Sequence, residues 1–174
     1  MAKILNVGCG DDTYGSDFID IAPRRRDVIK CDAGRERFPY RSGTFDEVYS
    51  AQMIMYIDNL RHFVDECYRV LKPKGRIYVT SASAGYYGFV SNWYSQRKDD
   101  NFYNLQTTES LENLLKASGF KNINASYSVS GGEKSIVPLS RENGIRRSLG
   151  LYKQELLGLL SKRMLPYVIA TATK

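Results

Sequence analysis

The first half of the chain contains short apolar segments that end at glycine, proline, aspartate or serine. These segments are Lys3–Val7, Asp17–Ile21, Asp27–Cys31, Phe45–Ser50 and Arg76–Ser81. Apolar runs of this length, bounded by turn-forming residues, are typical of strands that are buried on both faces of a sheet. We therefore predict five strands in this half of the chain.

A change from strand-like runs to helical spacing marks the segment NLRHFVDECYRVLKPKG. Apolar residues recur there at intervals of three and four from Leu60 to Leu71, which predicts an amphipathic helix between the fourth and fifth strands. Asp58 or Asn59 can cap its first turn, and Gly75 provides the turn into the next strand.

The segment TTESLENLLKASGF predicts a second helix, with Thr107 or Thr108 as its cap and Gly119 as its terminator. Further strands are expected near Ile123–Val129 and over the final segment LPYVIATATK. Strands that alternate with helices predict an α/β fold with a mostly parallel sheet. Ligands of such sheets bind at the carboxyl ends of the strands.

The first predicted strand ends in a glycine turn, Gly8-Cys9-Gly10, and Asp20 follows only ten residues later. A dinucleotide-binding unit places its acidic residue about 20 positions after the glycines, because a helix lies between them. Thr13 also stands where that unit would have its third glycine. Since a parallel crossover generally needs about a dozen residues, we predict that the first crossover helix is shortened or missing.

Polar and small residues follow the second, third and fourth predicted strands, at the same edge as the glycine turn. Asp20 can accept hydrogen bonds from two ribose hydroxyls, and Asp32 can accept one from an exocyclic amine. Ala33 and the pair Ser50-Ala51 leave room for a flat base between them. The pattern therefore predicts a nucleoside site.

The residues after the glycine turn indicate which kind of ligand this site accepts. A phosphate-binding loop would provide a lysine or a helix amino terminus, whereas Asp11 and Asp12 follow Gly10 here. These two carboxylates would repel a pyrophosphate. They are compatible with a cationic or zwitterionic ligand.

In order and spacing, these motifs resemble the small class I methyltransferases that depend on S-adenosylmethionine. The motifs are ILNVGCG, FIDI, VIKCDA, FDEVYSAQMIMYI and RVLKPKGRIYVT, between Lys3 and Thr80. The resemblance implies a Rossmann-like, mostly parallel seven-stranded sheet with an antiparallel last strand. It also implies S-adenosyl-L-methionine as the cofactor, with contacts from Asn6, Gly8, Cys9, Gly10, Asp20, Ile21, Asp32, Ala33, Ser50 and Ala51.

The resemblance also implies a displacement reaction in which a sulfonium methyl group is transferred. In-line positioning of two reactants can contribute about 7–11 kcal/mol, against about 3–5 kcal/mol from a general base. Gln52 and Tyr56, just past the fourth strand, are the candidate catalytic residues, because they are placed to contact substrate. His62 is the only histidine, and its place within a predicted helix favours a packing or surface role. We expect the methyl acceptor to be a small molecule or a glycan-type compound.

The charge of the chain and its departures from the family motifs leave two other functions open. A net charge of +6 suits an anionic partner, and a basic late segment that includes Arg146 and Arg147 motivates an RNA methyltransferase. A non-catalytic methyltransferase-like binding module is the third possibility, because Asn6, Asp12 and Met55-Tyr56 stand where the family often has an acid, a third glycine and Glu-His. The run Arg24–Arg26 is interpreted as a solvated turn.

We expect one domain over residues 1–174. The segment 130–164 is an insertion before the last strand and could be a lid, a dimer element or plain packing, so a homodimer is possible. The aromatic segment after the fifth strand could line a substrate pocket, stack bases or pack on the sheet.

The cysteines and the hydropathy of the chain indicate the cellular compartment of the protein. Cys9, Cys31 and Cys67 are an odd number of cysteines within apolar segments, which favours buried reduced thiols. The pattern shows neither a signal peptide nor the run of about 20 apolar residues that crosses a bilayer. We therefore expect a cytoplasmic protein without a membrane or metal site.

Overall fold

The computed structural model describes residues 2–86, 104–128, 162 and 165–174. These residues form one sheet of seven strands. The strands are β1 (Ile4–Val7), β2 (Asp17–Asp20), β3 (Val28–Lys30), β4 (Phe45–Ser50), β5 (Leu71–Ala82), β6 (Lys121–Ser128) and β7 (Tyr167–Thr173). Helix α1 (Leu60–Val70) connects β4 to β5, helix α2 (Thr108–Ala117) precedes β6, and a 3₁₀ turn spans Ile54–Tyr56. The predicted insertion, apart from residue 162, and the aromatic residues 87–103 lie outside the described residues.

The strand order is β3-β2-β1-β4-β5-β7-β6. Strands β1 to β5 pair in parallel, and β7 runs antiparallel between β5 and β6. The predicted mostly parallel sheet with an antiparallel last strand is therefore confirmed. The order reverses between β1 and β4, and a crevice outside the strand ends at such a switch point is the usual ligand site of this architecture.

Helices α1 and α2 contact each other and pack on one face of the sheet. The side chain of Asn59 accepts a hydrogen bond from the backbone N–H of His62, and Thr107 caps α2 in the same way through Ser110. The buried face of α1 meets alternate residues of the central strands, all of them in one apolar core: Leu5, Val7, Ile19, Val48, Ile77, Phe63, Val64, Cys67 and Val70. Each large side chain buried in this way contributes about 1.5–3 kcal/mol.

Residues 8–16, between β1 and β2, form no helix. The Tyr14 ring packs edge-on against Tyr49, with ring centroids 4.8 Å apart, and Tyr49 stacks on Tyr78 at 5.3 Å. The side-chain amide of Asn6 donates to the Tyr14 carbonyl oxygen at 3.0 Å, and the Tyr14 hydroxyl donates to Glu47 at 3.0 Å. The prediction of a missing first crossover helix is confirmed, and Tyr14 provides packing on the sheet face that the helix would have covered.

The segment between β3 and β4 is held to α1 by hydrogen bonds between its backbone and an ion pair within the helix. Glu66 accepts the Phe38 backbone N–H at 2.8 Å and pairs with Arg69 at 2.7 Å. Arg69 also donates to the carbonyl oxygens of Phe38 and Tyr40. Burial alone would raise the pKa of Glu66, but the hydrogen bonds from Arg69 and Phe38 outweigh it and hold that pKa below its ordinary value.

Candidate active site

A cleft of about 540 Å³ opens beside the carboxyl ends of the parallel strands. This volume lies within the range of about 300–1,000 Å³ that is usual for small-molecule sites. The lining residues come from the glycine turn, the ends of β2 and β3, and the segment after β4: Gly8, Gly10, Asp20, Ile21, Cys31, Asp32, Ala33, Arg35, Gln52, Met53, Tyr56, Ile57 and Asp58.

Asp20, the last residue of β2, joins the glycine turn to the cleft. One carboxylate oxygen accepts the Gly10 backbone N–H at 2.9 Å, and the other accepts the Ala22 N–H at 2.8 Å. These two bonds fix the plane of the carboxylate. Each oxygen can accept a further hydrogen bond, so Asp20 can bind hydroxyl groups in the cleft while it holds the turn.

Asp32 stands two residues after the end of β3, in the next parallel position. Its carboxylate accepts the Gly34 backbone N–H at 3.0 Å, and its own N–H donates to Glu36 at 2.9 Å. Ala33, which is buried, lies next to it in the lining. The structure thus brings the two predicted carboxylates into one cleft.

The two glycines of the turn have different surroundings. Both have positive φ, +68° at Gly8 and +51° at Gly10, which favours glycine. A Cβ atom at Gly8 would lie 2.1 Å from Cγ of Met53, whereas a Cβ at Gly10 would meet no atom within 4 Å. Gly8 therefore allows Met53 to pack on the backbone, and Gly10 leaves open space that a ligand can enter.

Gln52, directly after β4, has a backbone φ of +55°, which is uncommon for a residue other than glycine, asparagine or aspartate. Its backbone N–H and its side-chain amide both donate to the Thr80 hydroxyl, at 3.0 and 2.8 Å. Thr80 is fully buried on β5. A backbone conformation of this kind costs of order 1–3 kcal/mol and is often found at binding sites. Tyr56, the other candidate, ends the 3₁₀ turn and is 53% exposed.

An ion pair at the cleft was not anticipated from the sequence. Arg35 binds Asp58 at 2.5 Å and lies 4.0 Å from Asp32. The hydrogen bonds from Arg35 hold the pKa of Asp58 below its ordinary value. Asp58 was predicted as a possible helix cap, and Asn59 has that position instead. Among the described residues, the lining therefore presents the carboxylates of Asp20, Asp32 and Asp58 against one guanidinium, that of Arg35.

Four residues that the sequence suggested for cofactor contact do not line the cleft: Asn6, Cys9, Ser50 and Ala51. Because successive side chains of a strand point to opposite faces, Asn6 lies between two core residues of β1 and faces away from the core, where it holds Tyr14. Ser50 lies two positions after the core residue Val48 and therefore shares its face of β4, where it is fully buried.

Cys9 packs under the turn against Phe18 and Val28 rather than toward the cleft. Burial, with the nearby Asp20 carboxylate, raises the pKa of its thiol to about 11. Cys31 does line the cleft, but burial raises its pKa to about 11 as well. Both thiols are therefore protonated near neutral pH and are weak nucleophiles.

Two further findings concern the described part of the chain. No group of three or more histidine, cysteine, aspartate or glutamate side chains there is arranged to hold a metal ion. Among those same residues, no helix has both the length and the apolar character needed to cross a bilayer.

Comparison with known proteins gives a family match. Residues 12–79 match the family model described as the methyltransferase domain. A crystal structure of an S-adenosylmethionine-dependent methyltransferase from Archaeoglobus fulgidus superposes with a TM-score of 0.68 at 16% identity, covering 99% of this chain and 86% of that one. The fold is that of the class I methyltransferases.

Two other similar proteins are longer chains. Phosphoethanolamine N-methyltransferase 2 of Haemonchus contortus, solved with phosphomonomethylethanolamine and S-adenosylhomocysteine, gives a TM-score of 0.63 at 19% identity, over 99% of this chain and 48% of that chain. An uncharacterized protein of Methanocaldococcus jannaschii is 26% identical over 133 residues. The match covers 74% of this chain and 63% of that relative's length. The family model thus matches part of the chain, and the solved structures show the fold that the chain shares with them.

Proposed function

We propose that this chain transfers a methyl group from S-adenosylmethionine to a small-molecule or glycan-type acceptor. The observation that carries the proposal is the convergence of Asp20 and Asp32 on one cleft at the switch point of a methyltransferase fold. A fold alone does not define an activity, whereas this pair of acceptors matches the donors of an adenosine.

The residues of the cleft fit the cofactor part by part. Asp20 would accept the ribose hydroxyls and Asp32 the adenine amine, with Ala33 and Ile21 against the flat base. Ile21 is 61% exposed, so an adenine ring would remove a large apolar side chain from water. Gly10 leaves the space in which a ligand can approach the backbone. When bound, the cofactor supplies the electrophilic methyl group.

The charges of the cleft favour a neutral or cationic acceptor. Among its described lining residues the carboxylates outnumber the guanidinium groups, and Arg35 is already paired with Asp58. A phosphate would have to approach this negative field without an unpaired cation in the described lining. Gln52 and Tyr56 lie at the cleft beyond β4, where a neutral polar acceptor could form hydrogen bonds with their side chains. Their task would be alignment, which is the main requirement of this displacement.

Calorimetric titration tests the cofactor part of the proposal. Protein freed of carried-over ligand should bind S-adenosylmethionine and S-adenosylhomocysteine but not NAD. Asp32→Ala should weaken both adenosyl compounds about tenfold, because a charged acceptor of one hydrogen bond is lost. Asp65→Ala, on the exposed side of α1, is the matched control and should leave both affinities within twofold. Absence of binding to either adenosyl compound would refute the proposal.

Transfer of a labelled methyl group tests the acceptor part. The panel should contain small amines, hydroxylated small molecules and sugars, and RNA as the competing class. Label in one of the small compounds supports the proposal, and label in RNA alone overturns it. Binding of the cofactor without transfer to any member would favour the non-catalytic module.

The RNA alternative remains a prediction from the sequence. Arg146 and Arg147, which motivate it, lie outside the described residues. An RNA-binding surface built on such residues would lose affinity steeply as salt is raised, and charge-neutral replacements of both arginines would reduce that dependence. Calorimetric titration at two salt concentrations therefore separates RNA from an uncharged acceptor, because only the affinity for RNA should fall steeply.

A further inference from the structure

Arg25, in the turn between β2 and β3, binds the backbone directly after the glycine turn from outside the cleft. Its Nη1 atom donates to the carbonyl oxygen of Asp12 at 2.6 Å and to that of Asp11 at 3.2 Å. The guanidinium carbon lies 4.5 Å from the centre of the Phe18 ring, and Asp27 pairs with the same group at 3.2 Å. The side chain of Arg25 is thus held on three sides.

The neighbouring arginine provides a direct contrast. The side chain of Arg24 is 70% exposed and pairs with the Asp11 carboxylate at 2.9 Å, whereas that of Arg25 is 23% exposed. Interpretation of this run as a solvated turn is therefore wrong for Arg25. An arginine fits the position because its planar fork can donate in several directions while its face stacks on an aromatic ring.

The hydrogen-bond donors of Arg25 are needed because the first crossover helix is missing. In a first crossover helix, the carbonyl oxygens of this stretch would accept hydrogen bonds from backbone N–H groups one turn later. Here Asp12 N–H bonds back to the Cys9 carbonyl at 2.8 Å, which closes a single tight turn. Arg25 supplies hydrogen bonds to the carbonyl oxygens of Asp11 and Asp12 from another part of the chain.

We infer that Arg25 is a positioning residue that holds the glycine turn in place for the methionine part of the cofactor. The inference rests on the proposed function, in which Asp20 and Asp32 bind the adenosine part, and it assigns the methionine part to the open space beside Gly10. Arg25 does not line the cleft, so its effect passes through the backbone from Gly10 to Asp12. Asp20 retains its second anchor at Ala22 when the turn shifts.

Binding of two ligands separates this role from general support of the fold. Arg25→Met should weaken S-adenosylhomocysteine about tenfold, the scale of one or two lost hydrogen bonds, and leave adenosine within twofold. Arg25→Lys should behave like Arg25→Met, since a lysine cannot reach both carbonyls and Asp27 together. Arg24→Met is the matched control and should bind both ligands like the parent.

Each result has a defined meaning. An equal loss of affinity for the two ligands, or an unchanged affinity for S-adenosylhomocysteine, would overturn the inference while the proposed function stands. Parent protein that binds neither compound would overturn the proposed function and the inference with it. Should Arg25→Met fail to fold, Arg25→Lys and Asp27→Asn carry the same comparison, and the loss is still expected for S-adenosylhomocysteine alone.

Discussion

Replacement of Asp20 by asparagine tests the site with the smallest change in shape. Both carboxylate oxygens of Asp20 accept backbone N–H groups, those of Gly10 and Ala22. An asparagine side chain has one acceptor oxygen and one NH₂ donor. One of the two backbone N–H groups would therefore face another donor, and the turn could no longer be held at both points.

The size of the effect follows from these contacts. A hydrogen bond to a charged acceptor is worth about 1.5–3 kcal/mol. Loss of one such bond at the turn, with the charge that would receive the ribose hydroxyls, corresponds to about a 10- to 150-fold weaker affinity for S-adenosylhomocysteine. The free energy of unfolding should fall less, by about 1 kcal/mol, because Asp20 is only half-buried and water can replace part of the contact.

Calorimetry gives the affinity, and urea unfolding gives the stability. Asp17→Asn is the matched control, since Asp17 begins the same strand and its carboxylate lies 3.9 Å from the Lys3 ammonium. We expect the control to change the affinity by less than twofold. An Asp20→Asn variant that binds S-adenosylhomocysteine like the parent would refute the assignment of Asp20 to the ribose and the turn.

Three other predictions concern the frame of the site. Glu66→Gln should lower the free energy of unfolding by about 1–3 kcal/mol at pH 7. The folded-state pKa of Glu66 lies below its ordinary value, so the stabilisation is present at pH values above the ordinary pKa and is lost as pH falls through the folded-state pKa. Urea unfolding of variant and parent should therefore give converging stabilities at low pH. Gly8→Ala should destabilise the protein more than Gly10→Ala, because only the former brings a methyl group against Met53. A lower melting temperature for Gly10→Ala than for Gly8→Ala would contradict this prediction. Native protein at pH 8 should resist iodoacetamide at Cys9, Cys31 and Cys67, whose thiol pKa values are raised by burial, and rapid labelling detected by mass spectrometry before unfolding would show that these thiols are accessible.

The sequence predicted those parts of the fold whose signals are local. Apolar runs gave the strands to within one or two residues, except that β5 begins at Leu71 rather than near Arg76. The helix caps at Asn59 and Thr107 were among the predicted alternatives, since a cap depends on residues within one turn. Asp20 and Asp32 could be predicted because parallel strands bring their carboxyl ends to one edge.

The remaining parts of the site depend on contacts between distant segments. The pairs Arg35 with Asp58 and Gln52 with Thr80 are separated by 23 and 28 residues, and no local pattern relates them. Asn6 shows a second limit, because strand alternation tells which residues share a face but not that a tyrosine from a loop covers one of them. Arg25 shows a third, since its role exists only where a helix is absent.

The loop that replaces the first crossover helix has a consequence for the order of folding. A helix forms most of its hydrogen bonds within itself, but this loop is held by Asn6 from β1, Asp20 from β2 and Arg25 from the turn that follows. The loop can become ordered only after these three segments have come together. We therefore expect the glycine turn to be among the last parts of the sheet edge to form, so that a nearly folded chain would bind adenosine before it could bind the whole of S-adenosylmethionine.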